Sequence, residues 1–261
     1  MNAGLRTFAS LVGAAVLFVA QAPPSAAEAA PKPRFKAVAF DFLALFDANS
    51  VLPAVEDAFP GNALELTQLW RTRQFEYTWL RSITSTYVDF RAVTDDALVY
   101  AAKALKLELT PGQRARLLNA FLQLAPWPDT RRALGRLRAS GVRVIALANF
   151  TPAMLEANAR HAGLTECFDA LVSTDGNHTY KPDPRAYALG VERLRLPKKD
   201  VLFAAFAGWD AAGAKAFGYP TAWVNRSNQT PEELDVRPDQ ICRDVDALAD
   251  YVLGVAPDCR P

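Results

Sequence analysis

Histidine is scarce in this sequence, with two residues among 261. His161 lies in the run ARHAGL and His178 in a Gly-Asn loop, and no serine elbow accompanies either one, so a histidine-based catalytic triad has few candidates. No cluster of histidine and cysteine has the spacing of a zinc site. The run GWDAAGAK, residues 208–215, is not a phosphate loop because alanine stands where the loop needs lysine. These absences disfavour a triad hydrolase, a zinc site and a nucleotide-binding site.

The chain also lacks an excess of charge of either sign, since 29 basic and 28 acidic residues leave a net charge of +1. A surface without a strong field does not attract nucleic acid or an acidic membrane. We therefore expect a small molecule as the partner and no nucleic acid.

Cysteine occurs three times, at Cys167, Cys242 and Cys259. An odd number allows at most one disulfide within the chain in an oxidising compartment. Cys242 and Cys259 would staple the C-terminal tail, and the alternative is three unpaired small hydrophobic residues.

The N-terminal residues are typical of an exported protein. Arg6 is followed by the apolar run FASLVGAAVLFVAQA and then by small residues, AEA, at 27–29. The apolar core is shorter than the roughly 20 residues that a spanning helix needs, which makes a permanent anchor the weaker interpretation. We expect residues 1–29 to be a secretory signal peptide and the mature protein to be periplasmic or secreted and free of the membrane.

The remaining chain predicts an α/β fold with a Rossmann-like parallel-sheet core and an inserted helical cap. Buried strand-like runs alternate with helical segments, several of which end at glycine. Strands joined by helices of about three turns must be parallel. Residues 30–49 and 126–261 form the predicted core. Residues 50–125 carry helical spacing without a comparable strand and form the predicted cap.

Polar side chains follow four predicted strands at their C-terminal ends. Asp41 ends the first strand, Asn149 ends the second, Lys181 lies in the loop after the third, and Asp210 follows the fourth. Open α/β sheets bind ligands beyond the carboxyl ends of their strands. We therefore expect these residues to meet in one cleft between core and cap.

These positions together resemble the haloacid dehalogenase superfamily, and within it the (S)-2-haloacid dehalogenases. The similarity rests on DFLALFD around Asp41, LWRTRQFEYTWLRS in the cap, TPAML after Asn149, YKPDPRAYALG around Lys181 and GWDAAGAKAFG around Asp210. Phosphatases of the superfamily carry a second acid two positions after the nucleophile, where this chain has Leu43. The resemblance therefore favours a dehalogenase over a phosphatase.

The resemblance implies a hydrolase that acts on carbon–halide bonds with neither metal nor cofactor. Asp41 would displace halide from a 2-haloalkanoic acid and form an aspartyl ester, which water hydrolyses to a 2-hydroxy acid. Lys181 would balance the charge of Asp41, and Asp210 would position or deprotonate the water. A homodimer through the cap is a further expectation from the resemblance.

Other residues are implied to bind the substrate carboxylate or the halide. Arg71 would bind through the several N–H donors of its guanidinium. Asn149 would bind together with the backbone amides that follow it. Tyr187 would orient the site. Each has an alternative: Arg71 as a solvated arginine, Asn149 as the cap of a helix near Pro152, Tyr187 as a core residue. Asp210 likewise has the alternative of capping a helix that begins at residue 211.

Apolar residues would form the rim of the pocket. Leu43, Leu45, Phe150 and Phe206 are expected there, and Trp70 would wall the pocket unless it serves only in packing. An apolar rim favours a bulkier or less polar 2-substituted acid as substrate.

Several positions depart from the pattern of the family. Family hydroxyl and amide side chains are replaced at Leu43, Leu45, Ala148, Ala205 and Ala207. Loss of one pre-placed donor can cost about 10²–10³ in rate. Ester hydrolysis, which needs an oriented water, is the half-reaction most affected. The alternative function is a catalytically impaired or non-catalytic protein that binds a small carboxylate.

Overall fold

The computed structural model describes Met1, residues 32–255 and residues 259–260. The expected signal peptide lies outside the described residues, apart from its first methionine. Residues from Lys32 onward belong to one compact unit. Within the described part of the chain, no helix has the length and apolar character to cross a membrane.

The core of this unit is a seven-stranded sheet of order β5-β4-β1-β6-β7-β8-β9. All neighbouring pairs are parallel except β8 and β9, which are antiparallel. The expected open α/β sheet is therefore confirmed, with one antiparallel edge strand added. A separate antiparallel ribbon pairs β2 with β3. The strands are β1 Ala37–Phe40, β2 Phe46–Asp47, β3 Ala125–Pro126, β4 Arg143–Ala148, β5 Ala170–Ser173, β6 Val201–Ala205, β7 Thr221–Val224, β8 Gln240–Cys242 and β9 Cys259–Arg260.

Ten α-helices accompany these strands in the described residues. Helices α2 to α5 lie between β2 and β3 in the chain and are called the cap below, and α3 packs along α4. The helices are α1 Phe42–Leu45, α2 Leu52–Ala58, α3 Ala63–Ile83, α4 Phe90–Ala104, α5 Pro111–Ala120, α6 Thr130–Ala139, α7 Pro152–His161, α8 Pro184–Leu194, α9 Gly208–Phe217 and α10 Val245–Leu253.

Strand β1 lies at the centre of the sheet and is completely buried. Successive side chains of a strand point to opposite faces. Val38 and Phe40 accordingly join the larger hydrophobic cluster, whereas Ala37 and Ala39 join the smaller cluster on the other face. The chain order of the strands reverses beside β1, so the residue that follows β1, Asp41, leaves the sheet at the place where such folds bind ligands.

A disulfide joins Cys242 to Cys259 and ties β9 to β8. Cys167 remains a free thiol and is partly buried. Of the two alternatives for the cysteines, the structure has the one in which a disulfide links the C-terminal tail to the core. The disulfide explains the antiparallel edge strand because it holds the chain end against β8.

Candidate active site

Asp41 is buried, with 5% of its surface exposed, and it is held at both its backbone and its side chain. Its N–H donates to the carbonyl of Ala204 at 2.9 Å, which continues the parallel ladder beyond β1. Its Oδ1 accepts the N–H of Leu43 at 2.7 Å and so caps α1. Its Oδ2 forms an ion pair with Lys181 Nζ. The carboxylate is therefore fixed in orientation.

Lys181 is completely buried and bridges two carboxylates. Its Nζ contacts Asp41 Oδ2 and lies 3.0 Å from Asp210 Oδ2. Burial alone would lower the pKa of Lys181, but the charges of Asp210 and Asp41 outweigh it and raise that pKa. The lysine is therefore a permanent cation at neutral pH.

Asp210 is completely buried in the first turn of α9. Helix α9 begins at Gly208 with Ala207 as its N-cap, so the alternative that Asp210 caps a helix beginning at residue 211 is wrong. Burial raises the pKa of Asp210 to about 6; the charge of Asp41 acts in the same direction, and Lys181 opposes it. Asp210 can therefore exchange a proton near neutral pH.

Tyr187 combines the two roles considered for it. It is completely buried in the smaller hydrophobic cluster, and its hydroxyl donates to Asp210 Oδ1 at 2.8 Å. Gly213 permits this approach, because a Cβ there would lie 2.6 Å from the Tyr187 hydroxyl oxygen. Tyr187 is thus a core residue that fixes the Asp210 carboxylate.

Asn149 ties the end of β4 to the Lys181 loop. Its Oδ1 accepts the N–H of Lys181 at 2.9 Å and the hydroxyl of Thr174 at 3.3 Å. These bonds leave the Nδ2 hydrogens for a ligand. The alternative that Asn149 caps the next helix is wrong, because Thr151 occupies the N-cap of α7 and accepts the N–H of Met154 at 3.2 Å.

A cavity of about 10 Å³, called the inner cavity below, lies against Asp41. Leu43, Phe150 and Phe206 line it as the sequence predicts, together with Asn149. Leu45 does not take the expected rim position, because it is completely buried in the larger hydrophobic cluster. Three aromatic wall residues were not anticipated: Phe75, Phe90 and Trp209.

A second cavity of about 220 Å³, the outer cavity, shares Leu43 and Phe206 with the inner one. Arg71 lines the outer cavity, where its guanidinium lies 4.8 Å from the Phe75 ring centre and donates to Gln74 Oε1 at 2.9 Å. Burial lowers the pKa of Arg71 to about 10, and the charges of Asp41 and Asp47 oppose this effect. The cation is thus close enough to the nucleophile site to feel its charge.

Trp70 lies away from both cavities. Its Nε1 donates to the carbonyl of Thr94 at 2.7 Å, and its ring packs edge-on against Phe121 at 4.8 Å. Consecutive helical residues point about 100° apart, so Trp70 enters the cap interior while Arg71 faces the cavity. The packing alternative therefore describes Trp70, and the wall position expected for it is wrong.

Cap and core also meet beside the Lys181 loop. The Tyr87 hydroxyl donates to Asp175, and the Tyr180 hydroxyl donates to the carbonyl of Val88. Tyr180 immediately precedes Lys181 in the chain, so this contact helps to hold the lysine loop against the cap.

The arrangement suits nucleophilic attack by a carboxylate followed by proton transfer. Two acids share one lysine, and one of them faces an aromatic cavity while the other has a raised pKa. Among the described residues, no group of three histidine, cysteine, aspartate or glutamate side chains is arranged to hold a metal ion.

Comparison with known proteins gives a consistent result. A family model of haloacid dehalogenase-like hydrolases matches residues 35–218. The chain is 42% identical over 205 residues to the (S)-2-haloacid dehalogenase of Pseudomonas sp. (strain YL), which covers 78% of this chain and 88% of that protein. It is similar to the solved L-2-haloacid dehalogenase from Xanthobacter autotrophicus, with a TM-score of 0.80, 36% identity and coverage of 85% and 100%. A second structure of that enzyme, with chloropropionic acid covalently bound, gives a TM-score of 0.79 at 36% identity, with the same coverage of the two chains.

Proposed function

The chain belongs to the haloacid dehalogenase-like hydrolases, and on this premise we propose that it hydrolyses the carbon–halide bond of (S)-2-haloalkanoic acids through an ester on Asp41. The observation that carries the proposal is the buried Asp41 carboxylate, paired with Lys181 and facing the inner cavity. The relative that holds chloropropionic acid covalently supports an ester intermediate.

In the first half-reaction, a carboxylate oxygen of Asp41 attacks carbon 2 of the substrate. The new C–O bond forms as the carbon–halogen bond breaks, and the halide leaves with the bonding electrons. Asn149 Nδ2 holds the substrate carboxylate, and the Arg71 cation stabilises the negative charge that moves to the halide. The product of this step is a neutral ester on Asp41.

In the second half-reaction, water attacks the ester carbonyl carbon of Asp41. Asp210 accepts one proton of the water, and the alkoxide of the 2-hydroxy acid leaves and takes up the second proton of that water; the proton on Asp210 is then released. Asp41 regains its carboxylate, and Lys181 again balances its charge. The net reaction consumes one water and releases a 2-hydroxy acid, a halide ion and a proton.

The rate is expected to depend on the ionisation of Asp210. Burial raises the pKa of Asp210 to about 6 while Asp41 is ionised. Esterification removes the charge of Asp41, a charge that also raises this pKa, so kcat should fall about tenfold per pH unit on an acidic limb at or below about pH 6. Tyr187→Phe removes a hydrogen bond to the Asp210 carboxylate, so the acidic limb should move to higher pH. Profiles of kcat between about pH 4 and 9 test both statements. A profile that stays flat to the acid end would rule out Asp210 as the base.

Ester hydrolysis is expected to limit turnover. Ala205 is the last residue of β6, and Ala207 is the N-cap of α9. Because a methyl side chain forms no hydrogen bond, neither residue can orient a water near Lys181 and Asp210. Rapid-quench measurement of halide release from (S)-2-chloropropionate should therefore show a burst of one equivalent per protein and a slower steady rate. Ala205→Ser with Ala207→Asn should raise the steady rate. Linear release without a burst would place the slow step elsewhere.

A non-catalytic protein that binds a small carboxylate is the second candidate. The alanines at 205 and 207 and the small inner cavity favour it. If no halide is released and lactate binds measurably, the dehalogenase function is rejected and the binding function is supported.

We also infer that the protein is exported after removal of residues 1–29 and is periplasmic or secreted. The apolar leader supports this inference, and so does the Cys242–Cys259 disulfide, since such bonds persist in oxidising compartments. A homodimer through the cap is supported by the exposed apolar side chains Leu80 and Ile83, which are neighbours in the last turn of α3.

A further inference from the structure

The inner cavity is too small to contain a whole substrate. Its volume of about 10 Å³ corresponds to roughly one water molecule. A space for a single water cannot enclose a 2-haloacid, so the part of the substrate beyond carbon 2 must extend elsewhere. The outer cavity, of about 220 Å³, adjoins it across Leu43 and Phe206, which line both spaces.

The two cavities differ in chemistry. The wall they share is apolar, whereas the outer cavity is rich in hydrogen-bonding side chains, including Asn49, Asn225, Ser227 and Gln229. Leu43 and Phe206 thus form an apolar boundary between the two cavities. Methylene groups of a substrate suit this boundary, and a polar chain end suits the lining of the outer cavity.

The charges of the outer cavity favour an anion at that end. Two cations line it, Arg226 and Arg71, of which Arg71 also faces the departing halide. The acids near them are Asp47, in the lining, and Asp129, which is ion-paired with Arg226. Arg226 is pre-oriented, because its Nη2 donates to Asp129 at 2.9 Å and its guanidinium lies 4.7 Å from the Trp127 ring centre. Its Nε is buried without a hydrogen-bond partner among the described residues, so the guanidinium keeps an unused donor. A fixed guanidinium with a spare donor binds a carboxylate with little loss of conformational entropy.

We propose that the outer cavity binds the second carboxylate of a 2-halodicarboxylic acid, with carbon 2 at Asp41 and the chain passing between Leu43 and Phe206. The proposal rests on the dehalogenase function above and specifies its substrate class. The apolar rim alone favours a less polar acid, but the outer cavity beyond the rim reverses that expectation for longer chains.

A matched pair of substrates tests the proposal. We expect kcat/KM for 2-chloroglutarate to exceed that for its neutral 5-amide by about tenfold, because a charge-assisted hydrogen bond replaces a neutral one. The two acids have the same length and shape at the distal end. Equal values for the pair, or a preference for the amide, would overturn the proposal.

Charge variants locate the effect. Gln229→Glu adds a negative charge to the outer cavity at an exposed side chain and should reduce the diacid-to-amide ratio to about one. Asp47→Asn removes the acid in the lining, keeps an acceptor for the N–H of Asn49, and should raise the ratio. Ser140→Asp adds the same charge just before β4, at the amino ends of the strands and away from the site, and should leave the ratio unchanged. If Gln229→Glu leaves the diacid-to-amide ratio unchanged, the second carboxylate must bind elsewhere.

Binding measurements separate failure of this proposal from failure of the dehalogenase function. Calorimetry of 2-hydroxyglutarate and lactate needs no turnover. Tighter binding of 2-hydroxyglutarate that Gln229→Glu abolishes would support the outer subsite even if no halide is released. Turnover of 2-chloropropionate without any preference for the diacids would retain the dehalogenase and reject the subsite.

Discussion

Replacing Asp41 with asparagine is expected to lower the rate of halide release from (S)-2-chloropropionate by about 10⁴-fold or more, as removal of a nucleophile does in other covalent enzymes. The amide oxygen can still accept the N–H of Leu43, so the cap of α1 should survive. The amide is a poor nucleophile and cannot pair with Lys181 as an anion. The loss should therefore be one of chemistry, with the fold retained.

Asp89→Asn provides a matched control for this variant. Asp89 also caps a helix, α4, by accepting the N–H of Ala92 at 2.8 Å, but it lies outside the ion pairs of the site. Its replacement should leave halide release unchanged. If Asp41→Asn retained a rate within tenfold of the unmodified protein, the nucleophile would have to be another group, with Asp210 as the first candidate.

Lys181→Met is expected to cost about 3–5 kcal/mol in the free energy of unfolding at neutral pH, together with the loss of activity. The change leaves Asp41 and Asp210 buried without their shared cation. Lys181 opposes the effect of burial on Asp210, so without that cation the pKa of Asp210, already raised by burial, should rise further. The destabilisation should then shrink as the pH falls and the folded state takes up protons. Urea unfolding at about pH 7.5 and pH 5 measures both effects.

Lys36→Met is the corresponding exposed change. Lys36 Nζ lies 2.8 Å from Asp200 Oδ2, and 67% of the Lys36 side chain is exposed. Its removal should cost at most about 1 kcal/mol. If Lys181→Met proved no more costly than this control, the buried pair would not be the organising feature of the site.

The sheet and the four polar residues at its edge could be predicted because each depends on local pattern. Continuous apolar runs predict buried strands, and glycines after helices, such as Gly218, predict their ends. Once the strands are parallel, Asp41, Lys181 and Asp210 must emerge at one edge. Their observed ion pairs follow from that geometry.

Tertiary packing decides the features that were not predicted. Nothing local distinguishes Trp70 from Arg71 as the residue that faces the cavity, because the orientation of α3 depends on α4. The wall formed by Phe75 and Trp209 joins residues distant in sequence, with ring centres 5.4 Å apart. Helix α9 begins at Gly208 without a side-chain cap, so its start carries no sequence signal.

The most direct test of the account is mass spectrometry of the protein after rapid quenching during incubation with (S)-2-chloropropionate. The account predicts one carboxyethyl group per molecule, attached to Asp41 in the peptide that follows β1. Because ester hydrolysis is expected to be slow, this adduct should accumulate and then decay to lactate and free protein. Halide release without an adduct on Asp41, or an adduct on Asp210 instead, would contradict the assignment of Asp41 as the nucleophile.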